Sequence, residues 1–146
     1  MVKLLVAVAF VATVMAGCGD DAASPSTTTG SAQVEVTAVD FAFEGVPETL
    51  DAGEMTFALA NEGAYPHEMA VARILDDTPL EEIASAGAAN IDPSSRRIIE
   101  AVEPGGTGEI TVELESGRYG YVCWLRDGTN AERHAERGMI GEFTVQ

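Results

Sequence analysis

The chain of 146 residues is long enough for one domain with a hydrophobic core and too short for two ordinary domains. Its formal net charge is −16, because 24 aspartates and glutamates outnumber 8 lysines and arginines. We expect no nucleic-acid binding, since contacts to phosphates need a basic face. The acidic charge favours solubility and is also compatible with steering of a cationic partner.

Residues 1–17 form a predicted signal peptide of the lipoprotein type. Lys3 precedes an apolar run, residues 4–15, that is too short to cross a bilayer core as a helix. The ending VMAGC resembles a bacterial lipoprotein signal, which implies that Cys18 is lipidated and becomes the mature N-terminus. The alternative is a plain secreted protein that is cleaved nearby.

The next segment, residues 18–32, is small, polar and rich in Ser, Thr, Gly and Pro. Such a composition cannot bury enough apolar surface to fold, so it predicts a flexible tether. A lipid anchor on Cys18 would hold the following domain, residues 33–146, at the outer face of a bacterial cell membrane. We expect that exported domain to remain in water as a monomer.

The first half of the domain has the alternation of apolar and polar residues that is typical of strands. The segment QVEVTAVDFAFEGVPETL predicts one or two strands with a turn at EGVPE. GEMTFALANEG predicts a further strand that ends at NEG. PHEMAVARIL predicts the next strand, with His67, Met69 and Val71 on one face.

The second half adds one helix and a hairpin. DDTPLEEIASAG predicts a helix of about two turns, because Thr78 can cap it and Pro79 suits its first position. AANIDPSSRRIIEAVEPGGTG predicts mostly loop, with a short strand around Ile98–Val102, and EITVELESGRYGYVCWL predicts a hairpin. MIGEFTVQ predicts the last strand. About seven short strands and one short helix predict an all-β, Greek-key β-sandwich.

A few side chains of the domain could bind a metal. If Cys18 carries lipid, Cys123 has no cysteine partner in the chain and is either an inert buried thiol or a reactive or ligating one. The two histidines, His67 and His134, each lie near a predicted strand end, and Met139 follows the second. Two imidazoles, a thiolate and a thioether match a trigonal His2Cys copper site with a weak axial methionine.

Two blocks of the sequence resemble the cupredoxin family, the relatives of plastocyanin and azurin. They are NEGAYPHE and, far downstream, GRYGYVC followed by a histidine and GMIGEFTV, and the resemblance covers residues 33–146. It implies a sandwich that binds one mononuclear type 1 (blue) copper ion, with His67, Cys123 and His134 as ligands and Met139 as the axial ligand. The implied function is a membrane-tethered carrier of single electrons between redox proteins, and not an enzyme.

The spacing between Cys123 and His134 departs from the family pattern. Ten residues, WLRDGTNAER, intervene where a few are common. Because the cost of loop closure grows slowly with length, a turn at Asp127-Gly128 can fold the excess outward and return His134 to Cys123. The same loop could instead leave the site loose or open to water.

Asn61 and Glu68 are candidates for residues that support the site. Asn61 lies in the turn before His67 and is expected to help place it. Glu68 follows His67 at a position where an asparagine often braces the site in relatives. A carboxylate there could add a ligand or lower the reduction potential.

Two other functions remain open at this stage. The longer loop and Glu68 would also suit a protein that captures or delivers copper without transferring electrons. The sandwich could also be an interaction module that binds no metal, since a lone histidine or methionine more often packs than ligates. These alternatives differ in redox reversibility and in the retention of metal.

Overall fold

A computed structural model of the chain describes residues 32–86, 90–129 and 131–146. The predicted signal peptide, the predicted lipidation site Cys18 and the predicted tether up to residue 31 lie outside the described residues. Within the described residues, no helix combines the length and the apolar character that a bilayer span requires.

Short strands dominate the described residues, together with one α-helix and one 3₁₀ turn. In chain order the elements are β1 Ala32–Val39, β2 Ala42–Glu44, β3 Thr49–Leu50, β4 Gly53–Asn61, β5 His67–Arg73, α1 Leu80–Ala86, β6 Arg97–Val102, β7 Thr107–Leu114, β8 Gly117–Val122, the 3₁₀ turn His134–Arg137 and β9 Ile140–Val145. The predicted sandwich of short strands with one short helix is confirmed.

The strands form two mixed sheets. One sheet has the order β2-β1-β4-β7, and the other has the order β3-β9-β8-β5-β6. β1 runs parallel to β4, with Val34 opposite Phe57, and β3 runs parallel to β9, with Leu50 opposite Val145. Because parallel neighbours need a crossover connection, the chain passes between the sheets, as it does in Greek-key sandwiches.

Alternating side chains from both sheets fill the core. On β4 the buried apolar residues are Met55, Phe57 and Leu59, while the residues between them are only partly buried. Phe143 of β9 packs on Phe57 across the sandwich, with 5.8 Å between ring centroids, and it stacks on Tyr119 of β8 at 5.3 Å. Each fully buried side chain of this kind contributes about 1.5–3 kcal/mol to stability. The two sheets are therefore held together by one shared core.

Three neighbouring strands of the five-stranded sheet have a terminus at the same end of the sheet. β5 begins with His67, β8 ends one residue before Cys123, and β9 begins one residue after Met139. β8 is the central strand of the three and pairs antiparallel with both neighbours. The fold therefore brings segments that are far apart in the sequence to the same end of the core.

Candidate metal centre

The turn between β4 and β5 sets the position of His67. The side-chain amide of Asn61, a residue only 1% exposed, donates to the carbonyls of Tyr65 and Val102, both at 2.8 Å. Its Oδ1 accepts a hydrogen bond from the amide of Gly63 at 2.9 Å. His67 follows this turn and is completely buried. Asn61 therefore places His67 by building the turn.

Cys123 is a fully buried free thiol just beyond the end of β8. Its backbone amide donates to the carbonyl of Met139 at 3.1 Å, and its carbonyl accepts from the amide of Ala135 at 2.9 Å. The backbone amides of Glu68 and Leu125 donate hydrogen bonds to its sulfur. The backbone bonds therefore hold Cys123 in the interior, and the two amides favour its thiolate form.

The long loop between the predicted cysteine and histidine ligands folds back on itself. The amide of His134 donates to the carbonyl of Leu125 at 2.9 Å. Arg126 and Arg133 pair next to them in an antiparallel bridge. The two ends of the loop therefore hold each other, and the length of the loop does not prevent His134 from returning to the end of β8.

The structure brings the two histidines and the cysteine together. The Nδ1 atoms of His67 and His134 are 3.1 Å apart, and Sγ of Cys123 lies 3.4 Å from Nδ1 of His134. The three ligand atoms lie within 4.8 Å of one another, and each residue is at most 1% exposed. With metal–nitrogen bonds of about 2.0 Å and a metal–sulfur bond of about 2.3 Å, a trigonal site places its ligand atoms about 3.5 Å apart. The cluster therefore has the dimensions of a site for one metal ion.

Met139 stays a predicted axial ligand. Its side chain is completely buried and belongs to the main core. Its amide donates to the carbonyl of His134 at 2.9 Å, and its carbonyl accepts from the amide of Cys123 at 3.1 Å. The backbone of Met139 is thus hydrogen-bonded to that of His134 and to that of Cys123.

Two aspartates contact the outward nitrogens of the histidines, and neither was predicted as part of the site. Oδ1 of Asp40 lies 3.2 Å from Nε2 of His67, and Oδ1 of Asp127 lies 2.6 Å from Nε2 of His134. Asp40 is far from His67 in the sequence, and Asp127 was predicted only as a turn residue. Only a chemical rule could have suggested them: histidine ligands commonly donate the N–H of their second ring nitrogen to a carboxylate.

These carboxylates determine which nitrogen of each ring carries the proton. An ionised carboxylate can only accept, so Nε2 of each ring donates and Nδ1 keeps its lone pair. The lone pairs of His67 and His134 then face each other at 3.1 Å, beside the sulfur of Cys123. Buried polar atoms without a partner destabilise the folded protein. A cation between the two nitrogen atoms and the sulfur atom gives each of them a partner. The donor set therefore fits a metal ion in its chemistry as well as in its dimensions.

Burial also sets the protonation of the cluster. It lowers the pKa of His67, against the opposing effect of the hydrogen bond to Asp40. Burial raises the pKa of Cys123 to about 11, although the amides of Glu68 and Leu125 oppose the rise. Without a metal ion the thiol keeps its proton at neutral pH, and a metal ion that binds the thiolate displaces that proton.

Glu68 does not belong to the group of ligand atoms. Among the described residues, that group consists of His67, Cys123 and His134. The Glu68 carboxylate instead accepts a hydrogen bond from the backbone amide of Trp124. Of the two roles considered for this carboxylate, direct ligation is therefore not supported.

Aromatic side chains cover the histidines on the outside. Phe41 packs against the ring of His134 with 4.9 Å between centroids, and Tyr65 stacks on Phe41 at 5.7 Å. The guanidinium of Arg137 lies over the ring of Phe41, 3.2 Å from its centroid. A surface depression lined in part by Tyr65 and Leu125 borders His134. The site is therefore closed to solvent but lies close to the surface.

No protein-family model and no curated protein matches the chain. Solved structures of similar fold include reduced auracyanin from Roseiflexus castenholzii, with 20% identity, a TM-score of 0.54, and coverage of 80% of this chain and 99% of that one. Auracyanin A from Chloroflexus aurantiacus, described as a "blue" copper protein, has 19% identity, a TM-score of 0.53, and coverage of 80% and 100%. A blue copper oxidase from Nitrosomonas europaea has 19% identity and a TM-score of 0.50, with 80% of this chain covering 39% of that one. These likenesses confirm the resemblance to cupredoxins at the level of the fold.

Proposed function

We propose that this chain of cupredoxin fold is a mononuclear type 1 copper protein that carries single electrons between redox proteins. The observation that carries the proposal is the buried cluster in which two imidazole nitrogens and a cysteine sulfur lie within 4.8 Å of one another. Thiolate and imidazole together suit copper, and a His2Cys set with a weak axial methionine is the ligand pattern of blue-copper sites. Met139 is buried at the same end of the sandwich, where it can supply the thioether.

The surroundings of the cluster suit electron transfer because they resist movement. When bound, copper supplies a couple that gains or loses one electron. The chain holds its ligands through the backbone bonds from Cys123 to Met139 at 3.1 Å and from Met139 to His134 at 2.9 Å. The backbone amides of Glu68 and Leu125 favour the thiolate form of Cys123, and hydrogen bonds around the cysteine sulfur are among the features that tune the potential of such sites. Ligands that keep their places in both oxidation states keep the energetic cost of each transfer low.

We infer no enzymatic activity for this site. His67, Cys123 and His134 are at most 1% exposed, which leaves no room for a substrate beside them. Catalytic zinc sites, by comparison, keep one coordination position open. Electrons would instead pass through the ring of His134, next to the surface depression that Tyr65 and Leu125 line.

The proposed setting is the outer face of a bacterial cell membrane. The short apolar run before Cys18 supports export and lipidation, and the polar composition up to residue 31 supports a tether. The proposed partners are redox proteins of the same compartment, and the domain acts as a monomer.

The test is a visible spectrum of the mature chain, residues 18–146 with Cys18→Ser, after addition of one equivalent of Cu(II). We expect an intense thiolate-to-copper charge-transfer band that is absent from Cys123→Ser. Because the parent chain already lacks the other cysteine, the band can arise only from Cys123. Reversible one-electron reduction of the same sample then supports electron transfer.

Two other results would replace the proposal. Copper that is retained without the band would indicate capture or delivery through the histidines. Loss of all copper on dialysis would indicate an interaction module that binds no metal.

A further inference from the structure

The loop that separates Cys123 from His134 supplies a carboxylate to the site. Asp127 lies in this loop, its side chain is 20% exposed, and its Oδ1 is 2.6 Å from Nε2 of His134. Its other oxygen, Oδ2, accepts a hydrogen bond from Arg137 at 3.0 Å. Arg137 belongs to the 3₁₀ turn that begins at His134. The histidine, the carboxylate and the arginine therefore form one closed unit.

A second carboxylate reaches the site from the other sheet. Asp40 follows β1, and its Oδ1 lies 3.2 Å from Nε2 of His67. The amide of Ala64 donates to both oxygens of Asp40, at 2.9 and 3.1 Å, and this fixes the orientation of the carboxylate. Gly63 leaves space for the pair, since a Cβ at this position would lie 2.8 Å from Nε2 of His67 and would also meet Asp40.

We propose that Asp40 and Asp127 are positioning residues that keep His67 and His134 as Nδ1 donors and shift the site toward the oxidised metal ion. This inference rests on the proposed copper site and deepens it, because it assigns residues that set the reduction potential. It also gives the long loop a function, since the loop carries the carboxylate that holds His134.

The shift toward the oxidised ion follows from the charge of the carboxylates in two ways. A histidine that donates its Nε2 proton to a carboxylate is a stronger electron donor at Nδ1. Negative charge beside a buried site also stabilises a doubly charged ion more than a singly charged one. One electron is exchanged with a redox protein, and no covalent bond forms or breaks. The carboxylates therefore act on the balance between the two oxidation states.

The experiment compares the Cu(II) and Cu(I) affinities of the mature chain, measured by competition with coloured chelators. The test variants are Asp127→Asn and Asp40→Asn, because asparagine keeps an acceptor oxygen and removes the charge. We expect the ratio of Cu(II) to Cu(I) affinity to fall about tenfold in each variant, which corresponds to a rise of about 59 mV in potential.

Glu132→Gln is the matched control for the loss of one negative charge. Glu132 is an exposed carboxylate of the same loop as Asp127. Because solvent and salt screen exposed charges, this variant should keep the affinity ratio within about twofold of the parent. An equal shift in Glu132→Gln would overturn the proposal, since net charge alone would then explain the effect.

A purely structural role for the aspartates predicts a different result. A loosened site binds both ions more weakly, so the ratio of the two affinities does not change. Equal losses of Cu(II) and Cu(I) affinity in Asp127→Asn and Asp40→Asn would therefore overturn the proposal.

The metal-free protein provides a second test that does not depend on copper. Nitrogen-15 NMR should find the ring proton of His134 on Nε2 in the parent chain. Asp127→Ala, which removes both the charge and the acceptor, should give a mixture of the two tautomers. A proton on Nδ1 in the parent, or an unchanged population in the variant, would overturn the positioning role. This result stands even if no copper–thiolate band forms, so the proposed function and the inference fail separately.

Discussion

The carboxylate of Glu68 accepts a hydrogen bond from the backbone amide of Trp124 at 3.1 Å. Glu68 follows His67 on β5, and Trp124 follows Cys123 at the end of β8. The backbone amide of the same glutamate donates to the sulfur of Cys123. One residue therefore uses both its main chain and its side chain to join the two strands that carry the first two predicted ligands.

Glu68→Ala should destabilise the metal-free protein by about 1–3 kcal/mol, because the partly buried amide of Trp124 loses its charged acceptor. The measurement is the free energy of unfolding in urea. Glu68→Gln is the control, since it keeps an acceptor oxygen and should retain most of the stability. Both variants should still bind one equivalent of copper. Equal destabilisation in the two variants would show that the charge, and not the hydrogen bond, is responsible.

Gly63→Ala should weaken copper binding about 10–100-fold, because its Cβ displaces His67 or the aspartate that holds it. A Cβ at Gly63 would lie 2.8 Å from Nε2 of His67, closer than real Cβ atoms approach other side chains. Gly128→Ala is the control, since no heavy atom lies within 4 Å of the Cβ position at Gly128. Copper titrations of the two variants give the comparison. Similar affinities would mean that the turn at Gly63 can shift without moving the ligand.

The metal-free protein should lose stability at alkaline pH because of Cys123. Burial raises the pKa of this thiol from 9.0 to about 11 in the folded protein. The folded pKa is the higher one, so the stability is complete below about pH 9 and is lost as the pH rises toward 11. We expect the loss to reach about 2 kcal/mol near pH 11.

The check is the difference in unfolding free energy between the parent chain and Cys123→Ser, measured at about pH 8 and about pH 11. Serine does not titrate in this range, so other groups cancel in the difference. A difference that does not vary with pH would contradict the prediction.

The strands and the types of ligand could be predicted from the sequence, because they depend on local pattern and on side-chain chemistry. On β5 the predicted face, His67, Met69 and Val71, is buried as a set. The partner of each strand could not be predicted in the same way. The predicted hairpin of β7 and β8 is wrong, because β7 lies in the four-stranded sheet and β8 in the five-stranded sheet. The alternation of β1 is compatible with many neighbours, and its parallel pairing with β4 depends on the packing of the whole sandwich.

The residues missed around the site share one physical reason. Asp40 and Phe41 follow β1, and they contact His67 and His134 only once the two sheets have packed. Asp127 reaches His134 only because the loop closes. An aspartate in a polar turn has the same local pattern whether it contacts water or a histidine. Three-dimensional neighbours, and not sequence periodicity, distinguish the two cases.

The pairing of β3 with β9 links the site to the order of folding. Leu50 pairs with Val145 near the end of the chain, and pairings over such distances slow folding because a long loop must close first. His67 and Met139 reach the same end of the core only after the last strand has docked. The three-residue cluster is complete only in the folded sandwich, so copper that binds this cluster stabilises the folded state by mass action.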